Sequence, residues 1–199
     1  MIDWLKEIEQ QILIAINGAN TPSLDVFMWT VSEKLTWFPF YLLLFYFVYR
    51  KYTLKHAIVF TLVGFAAVGF CDATTTYVFK YNIARYRPSH HLWLGEQLRF
   101  YEYRPGHFYK GGQYGFFSGH AANSTIIAVM FVKQLKPFYK YITPILISWV
   151  LLVSYSRMYL GVHYPTDILA GMIYGILVGS MFYWIYRKIT ERFSGTGIR

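Results

Sequence analysis

Residues 57–71 read AIVFTLVGFAAVGFC, a run in which no side chain carries a charge. With its flanks it forms an apolar segment of about 54–79, and about 20 such residues are enough for a helix to span a bilayer. Similar segments occur at about 24–49, 118–135, 138–156 and 165–187. The pattern therefore predicts an all-α integral membrane bundle of about five transmembrane helices. Glu33 and Lys34 interrupt one segment, where we expect a solvated helix end or a tilt toward the protein interior.

The composition agrees with a membrane protein and argues against a soluble globule. Of 199 residues, 55% are hydrophobic and 15% are charged, whereas soluble domains have about 25% charged residues. The length suggests a single membrane-embedded domain over residues 1–199. The net charge of +9 would also suit a nucleic-acid binder. However, the basic residues cluster at the ends of apolar segments, which favours the bilayer and phosphorylated lipids as partners, with no nucleic acid.

The N-terminal segment of residues 2–17 differs from the predicted spans. Its apolar residues recur near helical spacing, whereas its polar residues lie off that stripe. The apolar set is Ile2, Leu5, Ile8, Ile12 and Ile16, and the polar set is Asp3, Lys6, Glu7, Glu9 and Gln10. We expect an amphipathic helix in the membrane interface rather than a further span.

The basic residues between the spans predict how the bundle is oriented. The loops after the first and third spans and the C-terminal tail each carry several, so the positive-inside rule makes these regions cytoplasmic. They are Arg50, Lys51, Lys55, Lys133, Lys136, Lys140, Arg187, Lys188, Arg192 and Arg199. The opposite side is also basic, but Lys80, Arg87 and Arg157 have a chemical reason to be there. We therefore expect the polar motifs described next at the non-cytoplasmic face.

Three short motifs lie at the ends of these apolar segments. The first is KYNIARYRP (80–88), the second is SGH (118–120) and the third is SRMYLGVHYPTD (156–167). Their cations Lys80, Arg87 and Arg157, together with two histidines and a carboxylate, suit binding a phosphate and attacking it with an imidazole. Because all three motifs are predicted at one membrane face, we expect them to meet.

Each motif also has a purely structural interpretation. Lys80 and Arg87 are two helical turns apart, so they either share a phosphate or extend separately to headgroups. Ser118 opens a segment whose free amides form an anion site, but it would equally serve as an ordinary N-cap. His163 and Asp167 are four residues apart, so the carboxylate can accept from one imidazole nitrogen and leave the other free. Alternatively, Asp167 caps a helix.

The order, spacing and residue types of the motifs resemble the type 2 phosphatidic acid phosphatase family. Its signature is Lys-x6-Arg-Pro, then Pro-Ser-Gly-His, then Ser-Arg-x5-His-x3-Asp. The match spans residues 80–167, and the apolar segments on either side also agree. One departure is Phe117, which stands where the family has proline. It affects how the turn is stiffened and changes no reacting group.

The resemblance implies a metal-independent phosphatase without a cofactor. His163 would attack phosphorus and form a phosphohistidine, and Asp167 would orient it and stabilise its charge. His120 would protonate the leaving oxygen and then activate water. The phosphate would be held by Lys80, Arg87, Ser118, Gly119 and Arg157. In such a site positive charges replace the metal ion, and no Asp, Glu and His cluster in the sequence has metal-ligand spacing.

Other polar residues near the motifs lie outside this signature. We interpret Arg85 as a headgroup contact and Asp72 as a structural partner for a buried cation or hydroxyl. The segment 89–117 is rich in aromatic and basic residues. It forms either an interfacial aromatic belt or a lid over a lipid headgroup.

The resemblance further implies hydrolysis of a lipid phosphomonoester or pyrophosphate at the outer, periplasmic face of the bacterial cytoplasmic membrane. Undecaprenyl pyrophosphate and lipid A phosphate are the leading substrates, and phosphatidic acid and phosphatidylglycerol phosphate are alternatives. Vanadate-dependent haloperoxidases share the pocket but are soluble, which five apolar segments argue against. A catalytically silent lipid-binding or transport relative is the alternative of another class, and the complete set of His120, His163 and Asp167 argues against it. The sequence leaves the oligomeric state open.

Overall fold

The computed structural model describes residues 3–194, with the side chains of residues 3–192, and is mostly helical. The helices follow one another in chain order with short connections, apart from one long polar segment before α6. They are α1 (Asp3–Gly18), α2 (Pro22–Ser32), α3 (Phe38–Lys51), α4 (Leu54–Thr74), α5 (Tyr81–Ile83), α6 (Gly119–Leu135), α7 (Ile142–Tyr159) and α8 (Pro165–Ser194). A π-helical segment, Thr75–Lys80, joins α4 to α5.

Three helical stretches among the described residues are long and apolar enough to cross a membrane. They are Leu54–Ile83, Ile142–Tyr159 and Pro165–Arg192, with mean hydropathies of 1.8, 1.2 and 1.8. The helix α6 packs against α4, α7 and α8. It has 17 residues, which is about 26 Å of helix. Large apolar side chains such as Leu62 and Phe65 are exposed on the outside of the bundle, as a surface facing lipid requires.

The segment 24–49 forms two helices rather than the one predicted, and the break between them is the solvated helix end expected at Glu33 and Lys34. A 3₁₀ turn, Lys34–Trp37, separates α2 from α3, and Glu33 before it has an extended backbone with φ −75° and ψ 128°. Glu33 and Lys34 are both exposed at this break, because a helix end lets charges reach water that a continuous span would hold in lipid. Pro39 in the first turn of α3 lacks the N–H that a continuous helix would need.

The close packing of α8 against α6 depends on glycines along α8. A Cβ atom at Gly175 would lie 2.5 Å from the carbonyl oxygen of Ala122. One at Gly171 would lie 2.6 Å from that of Ser118. Small residues at this spacing let membrane helices approach closely. The packing brings the start of α6 beside the start of α8, where the Ser118 amide donates to the backbone carbonyl of Asp167 at 3.0 Å.

We expect Gly175→Ala to destabilise the protein by about 1–3 kcal/mol, because the added methyl group meets the α6 backbone rather than a flexible side chain. Gly69→Ala is the matched control. Gly69 also lies in a helix, and, apart from neighbouring residues of its own helix, no described atom lies within 4 Å of the position its Cβ would take. Alanine should be neutral or slightly stabilising there. Thermal unfolding in detergent measures both, and equal melting temperatures would contradict the close α6–α8 packing.

The helix α1 packs against the bundle, contacting α7 and α8. Asn17 on its inner face donates through Nδ2 to the carbonyl oxygens of Arg99 and Tyr159, each at 2.8 Å. Ile8 of the apolar stripe is 43% exposed, and the interfacial location of this helix stays a prediction. The inner face also carries Glu9, which is buried.

The segment between α5 and α6 lies at the same end of the bundle as α1. It contains two 3₁₀ turns, Pro88–His90 and Leu94–Glu96, and a short antiparallel hairpin of β1 (Glu102–Arg104) and β2 (His107–Phe108). Trp29 of α2 anchors this segment by packing against three of its tyrosines. They are Tyr101, Tyr103 and Tyr109, with ring centroids 5.1, 5.9 and 4.9 Å from that of Trp29.

Candidate active site

Arg157, near the end of α7, lies inside the protein with 1% of its surface exposed. Its Nη1 donates to the hydroxyl of Ser32, and its Nη2 donates to that of Tyr109 at 2.7 Å. Its Nε is buried and has no hydrogen-bond partner among the described residues. Because an unused buried donor is costly, this N–H is available for an anion such as phosphate.

Arg87 enters the same region from the long segment before α6. Its Nε donates to the carbonyl oxygen of Tyr114 at 3.2 Å. The chain passes so close that a Cβ atom at Gly111, where φ is +66°, would lie 2.7 Å from Nη1 of Arg87. Burial and the charge of Arg157 lower the pKa of Arg87 to about 10, so this guanidinium stays charged at neutral pH. An anion between the two arginines would relieve their repulsion.

His163 and Asp167 form the contact that their spacing predicts. Nδ1 of His163 lies 3.4 Å from Oδ2 of Asp167, which is a long hydrogen bond. The side chains are 1% and 0% exposed. The amide of Tyr164 donates to the same carboxylate oxygen at 3.1 Å. With Nδ1 directed at the carboxylate, Nε2 is the nitrogen left for reaction.

The surroundings of His163 keep its imidazole neutral at physiological pH. Burial is the main cause, and the positive charges of Arg87, Arg157 and Lys80 add to it, so the pKa of His163 lies well below its ordinary value. A neutral imidazole has a lone pair on one nitrogen, which a nucleophile requires. Because Lys80 and Arg87 belong to the first motif and His163 to the third, their electrostatic effect on His163 shows that the two motifs lie near each other.

The second motif opens α6. Ser118 is fully buried, and its Oγ accepts from a backbone amide three residues on, at 3.4 Å, as an N-cap. Gly119 and His120 are half-buried at the first helical positions, where backbone amides have no partner within the helix. Of the titratable side chains, Arg157 and His163 have the strongest electrostatic effect on His120, so this motif also lies near the third. A phosphate contact of Ser118 stays a prediction.

All eight predicted site residues therefore lie at one end of the bundle. Lys80, half-buried, is the last residue of the π-helical segment Thr75–Lys80, and such segments are frequent at functional sites. Among the residues that the structure describes, no group of three or more His, Cys, Asp or Glu side chains is placed to hold a metal ion. The catalytic and binding roles of the eight residues stay predictions.

Two residues near the site have partners that differ from those expected. Arg85, interpreted as a headgroup contact, donates instead through Nη1 to Oδ1 of Asp167 at 2.7 Å and through Nη2 to Glu9. Asp72 accepts from the side-chain amide of Asn123 at 2.8 Å rather than from a cation or hydroxyl. Sequence spacing could not reveal these Arg85 contacts, because Asp167 and Glu9 are 82 and 76 residues away from it in the sequence.

The aromatic and basic segment 89–117 contributes directly to this region. A groove of about 740 Å³ lies between it and α2, lined on the segment's side by residues such as Arg99, Tyr101 and Lys110. Tyr109 of the same segment contacts Arg157, whose guanidinium carbon lies 5.4 Å from the tyrosine ring centroid. Tyr109 thus connects the segment to a predicted phosphate-binding residue, whereas the residues lining the groove include none of the eight predicted site residues. The belt and lid interpretations both stay predictions.

Comparisons with known proteins confirm the family resemblance of the three motifs. The family profile of the PAP2 superfamily matches residues 57–191. A lipid A 4'-phosphatase of Porphyromonas gingivalis is 33% identical over 98% of this chain and 79% of its own length. One from Bacteroides thetaiotaomicron is 31% identical over 96% of this chain and 83% of its own length. This chain also has the fold of a solved structure, the transmembrane PAP2-type phosphatidylglycerolphosphate phosphatase from Bacillus subtilis. The two superpose with a TM-score of 0.67 over 94% of this chain and 88% of the other, and their sequences are 22% identical.

The extent of these matches decides the family. The profile covers more than half of the chain and includes all three motifs. The first two relatives match almost the whole of it at more than 30% identity. This chain therefore belongs to the PAP2 superfamily and is a membrane phosphatase.

Proposed function

We propose that this phosphatase removes a phosphate group from a lipid headgroup through a phosphohistidine on His163. One observation carries the proposal. The buried His163–Asp167 pair lies in the field of Arg157, whose Nε has no hydrogen-bond partner among the described residues. A neutral imidazole oriented by a carboxylate, beside a guanidinium with an unused donor, suits an attack on phosphorus.

The first half of the reaction transfers the phosphoryl group to the protein. Nε2 of His163 attacks phosphorus while the bond from phosphorus to the lipid oxygen breaks, and His120 gives a proton to that oxygen. Asp167 accepts from Nδ1 and stabilises the positive charge that forms on the imidazole. The negative charge of the bound phosphate favours the protonated form of His120 that this step needs.

The second half regenerates the enzyme. His120, now neutral, takes a proton from water, whose oxygen attacks phosphorus as the bond to His163 breaks, and inorganic phosphate leaves. Lys80, Arg87 and Arg157 stabilise the charge on the transferring group in both halves, in place of a metal ion. The Gly119 amide and the Ser118 hydroxyl assist, since an N-cap oxygen that accepts a hydrogen bond still has its own hydrogen to donate.

The substrate we propose is lipid A, hydrolysed at its 4'-phosphate. The support is that two relatives which match nearly the whole of this chain are lipid A 4'-phosphatases. Undecaprenyl pyrophosphate, phosphatidic acid and phosphatidylglycerol phosphate become comparison substrates. The alternative to exclude is that the protein keeps these site residues but only binds or transports lipid without hydrolysing it.

We also propose how the single domain sits in the membrane. The three apolar helices are joined by α6 and by the α2–α3 pair, giving five membrane-embedded elements, with α1 in the interface. The basic ends of α3, α6 and α8 would then face the cytoplasm, and the site would open at the outer face of the bacterial cytoplasmic membrane. The substrate's acyl chains remain in lipid while its phosphate reaches the site.

The test is phosphate release by purified protein in detergent, with EDTA present, from each of the four lipids. We expect release to be fastest from lipid A and to be absent with His163→Ala. Faster phosphate release from undecaprenyl pyrophosphate would mean that this lipid, rather than lipid A, is the substrate. A strict requirement for added metal would contradict a site built from positive side chains. Lipid binding without any release would identify a silent relative.

A further inference from the structure

The buried Glu9 of α1 is linked to the site by a closed set of hydrogen bonds. Only 4% of its side chain is exposed. Its Oε1 accepts from Nη2 of Arg85, and its Oε2 accepts from the hydroxyl of Thr166 at 2.5 Å. Arg85 in turn donates through Nη1 to the same hydroxyl at 2.8 Å and to Oδ1 of Asp167 at 2.7 Å. Glu9 lies outside the part of the chain that the superfamily profile matches.

The two oxygens of Asp167 have different partners. Oδ2 lies beside Nδ1 of His163 and accepts from the amide of Tyr164. Oδ1 accepts from Arg85. Rotation of the carboxylate would exchange these contacts, so Arg85 on Oδ1 keeps Oδ2 directed at the imidazole. The orientation of His163 therefore depends on where Arg85 is held.

Glu9 determines where Arg85 is held. A guanidinium readily binds both oxygens of one carboxylate in a bidentate pair. If Arg85 bound Asp167 in that way, it would compete with His163 for Oδ2. Glu9 prevents this by occupying Nη2, while the ring of Tyr164 lies 4.2 Å from the guanidinium carbon and supports its face.

We propose that Glu9 is a positioning residue which, through Arg85 and Thr166, keeps Oδ2 of Asp167 on His163. The packing of the N-terminal helix on the bundle is then a condition for a competent nucleophile. This inference rests on the proposed roles of His163 and Asp167. Glu9 does not contact the phosphate, so its contribution belongs to the chemical step rather than to binding.

The test compares Glu9→Gln with Glu7→Gln, the same substitution at an exposed position of the same helix. We expect Glu9→Gln to lower kcat at least tenfold, because the uncharged amide has one acceptor oxygen and so cannot accept from both Arg85 and Thr166 as the carboxylate does. KM and inhibition by inorganic phosphate should not change, since Arg87 and Arg157 are untouched. Glu7→Gln should match the wild type in all three. Equal kcat for the two variants would overturn the proposal, as would a loss that appears only in KM.

A double variant separates a positioning role from a general loss of structure. If Glu9 acts through Arg85, the kcat of Glu9→Gln/Arg85→Met should be within about twofold of Arg85→Met alone, whereas independent effects would multiply. Multiplied losses would overturn the proposal. If Glu9→Gln does not fold, Thr166→Val tests the same contacts, and an unchanged kcat would overturn it. Turnover by His163→Ala at the wild-type rate would instead refute the proposed function.

Discussion

Replacing His163 with alanine should abolish lipid dephosphorylation, lowering kcat by a factor on the order of 10⁴ or more. No other group can take its place in the proposed first step, because Nε2 is the atom that bonds to phosphorus. His163 is buried against Asp167, so alanine leaves the carboxylate paired with Arg85. The measurement is phosphate release in detergent, with melting temperature as the check on folding.

His107→Ala is the matched control for this substitution. His107 is exposed on the β2 strand and has no role in the proposed reaction, so its variant should keep wild-type kcat. Folded His163→Ala protein that retains a tenth or more of wild-type activity would contradict the nucleophile assignment. It would direct attention to His120 or to direct attack by water.

Arg157→Lys should lower kcat by about 10²–10³-fold, as expected for removal of a preorganised donor to the transition state. The guanidinium contacts Ser32 and Tyr109 with two nitrogens and keeps Nε free. An ammonium group is a compact charge that cannot reproduce this planar arrangement, although the net charge is unchanged. The comparison is of kcat and KM at saturating and limiting lipid.

Arg187→Lys is the control, because it makes the same substitution at an exposed side chain in the last part of α8. It should behave as the wild type. Activity of Arg157→Lys within threefold of the wild type would mean that positive charge alone is required there. The unpartnered Nε would then have no part in catalysis.

The parts of the site that were predictable are those encoded by local spacing. His163 and Asp167 are four residues apart across the start of α8, so their contact follows from one helical turn. Ser118 precedes the first turn of α6, so its capping role also follows locally. Such contacts depend on a few neighbouring backbone angles and not on the tertiary packing of the rest of the chain.

The contacts of Arg85 could not be predicted in this way. Its partners come from α1 and α8, and only the tertiary packing of α1 against the bundle brings Glu9 within reach. No periodicity in residues 2–17 distinguishes a buried Glu9 from the exposed Glu7. Contacts between residues far apart in the sequence depend on how the helices pack together, and the residue pattern of a single sequence does not predict that packing.

The break within 24–49 differs from the Arg85 contacts, because its signals are present in the sequence. Glu33, Lys34 and Pro39 all argue for a break, whereas the apolar residues that follow Pro39 argue for a span. The apolar residues after Pro39 form α3. The helix end expected at Glu33 and Lys34 lies between α2 and α3, so the segment contains a shorter apolar helix than a continuous span over 24–49 would give.

The claim that His163 carries the phosphoryl group can be tested directly by trapping the intermediate. Wild-type protein is mixed rapidly with lipid A that carries radioactive phosphorus at the 4' position. The reaction is quenched in alkali, which preserves phosphohistidine, and the labelled peptide is identified. We predict label on the peptide that contains His163, its later release as inorganic phosphate, and no label in His163→Ala. Turnover by the wild type with label on another residue, or with none on that peptide, would contradict the account.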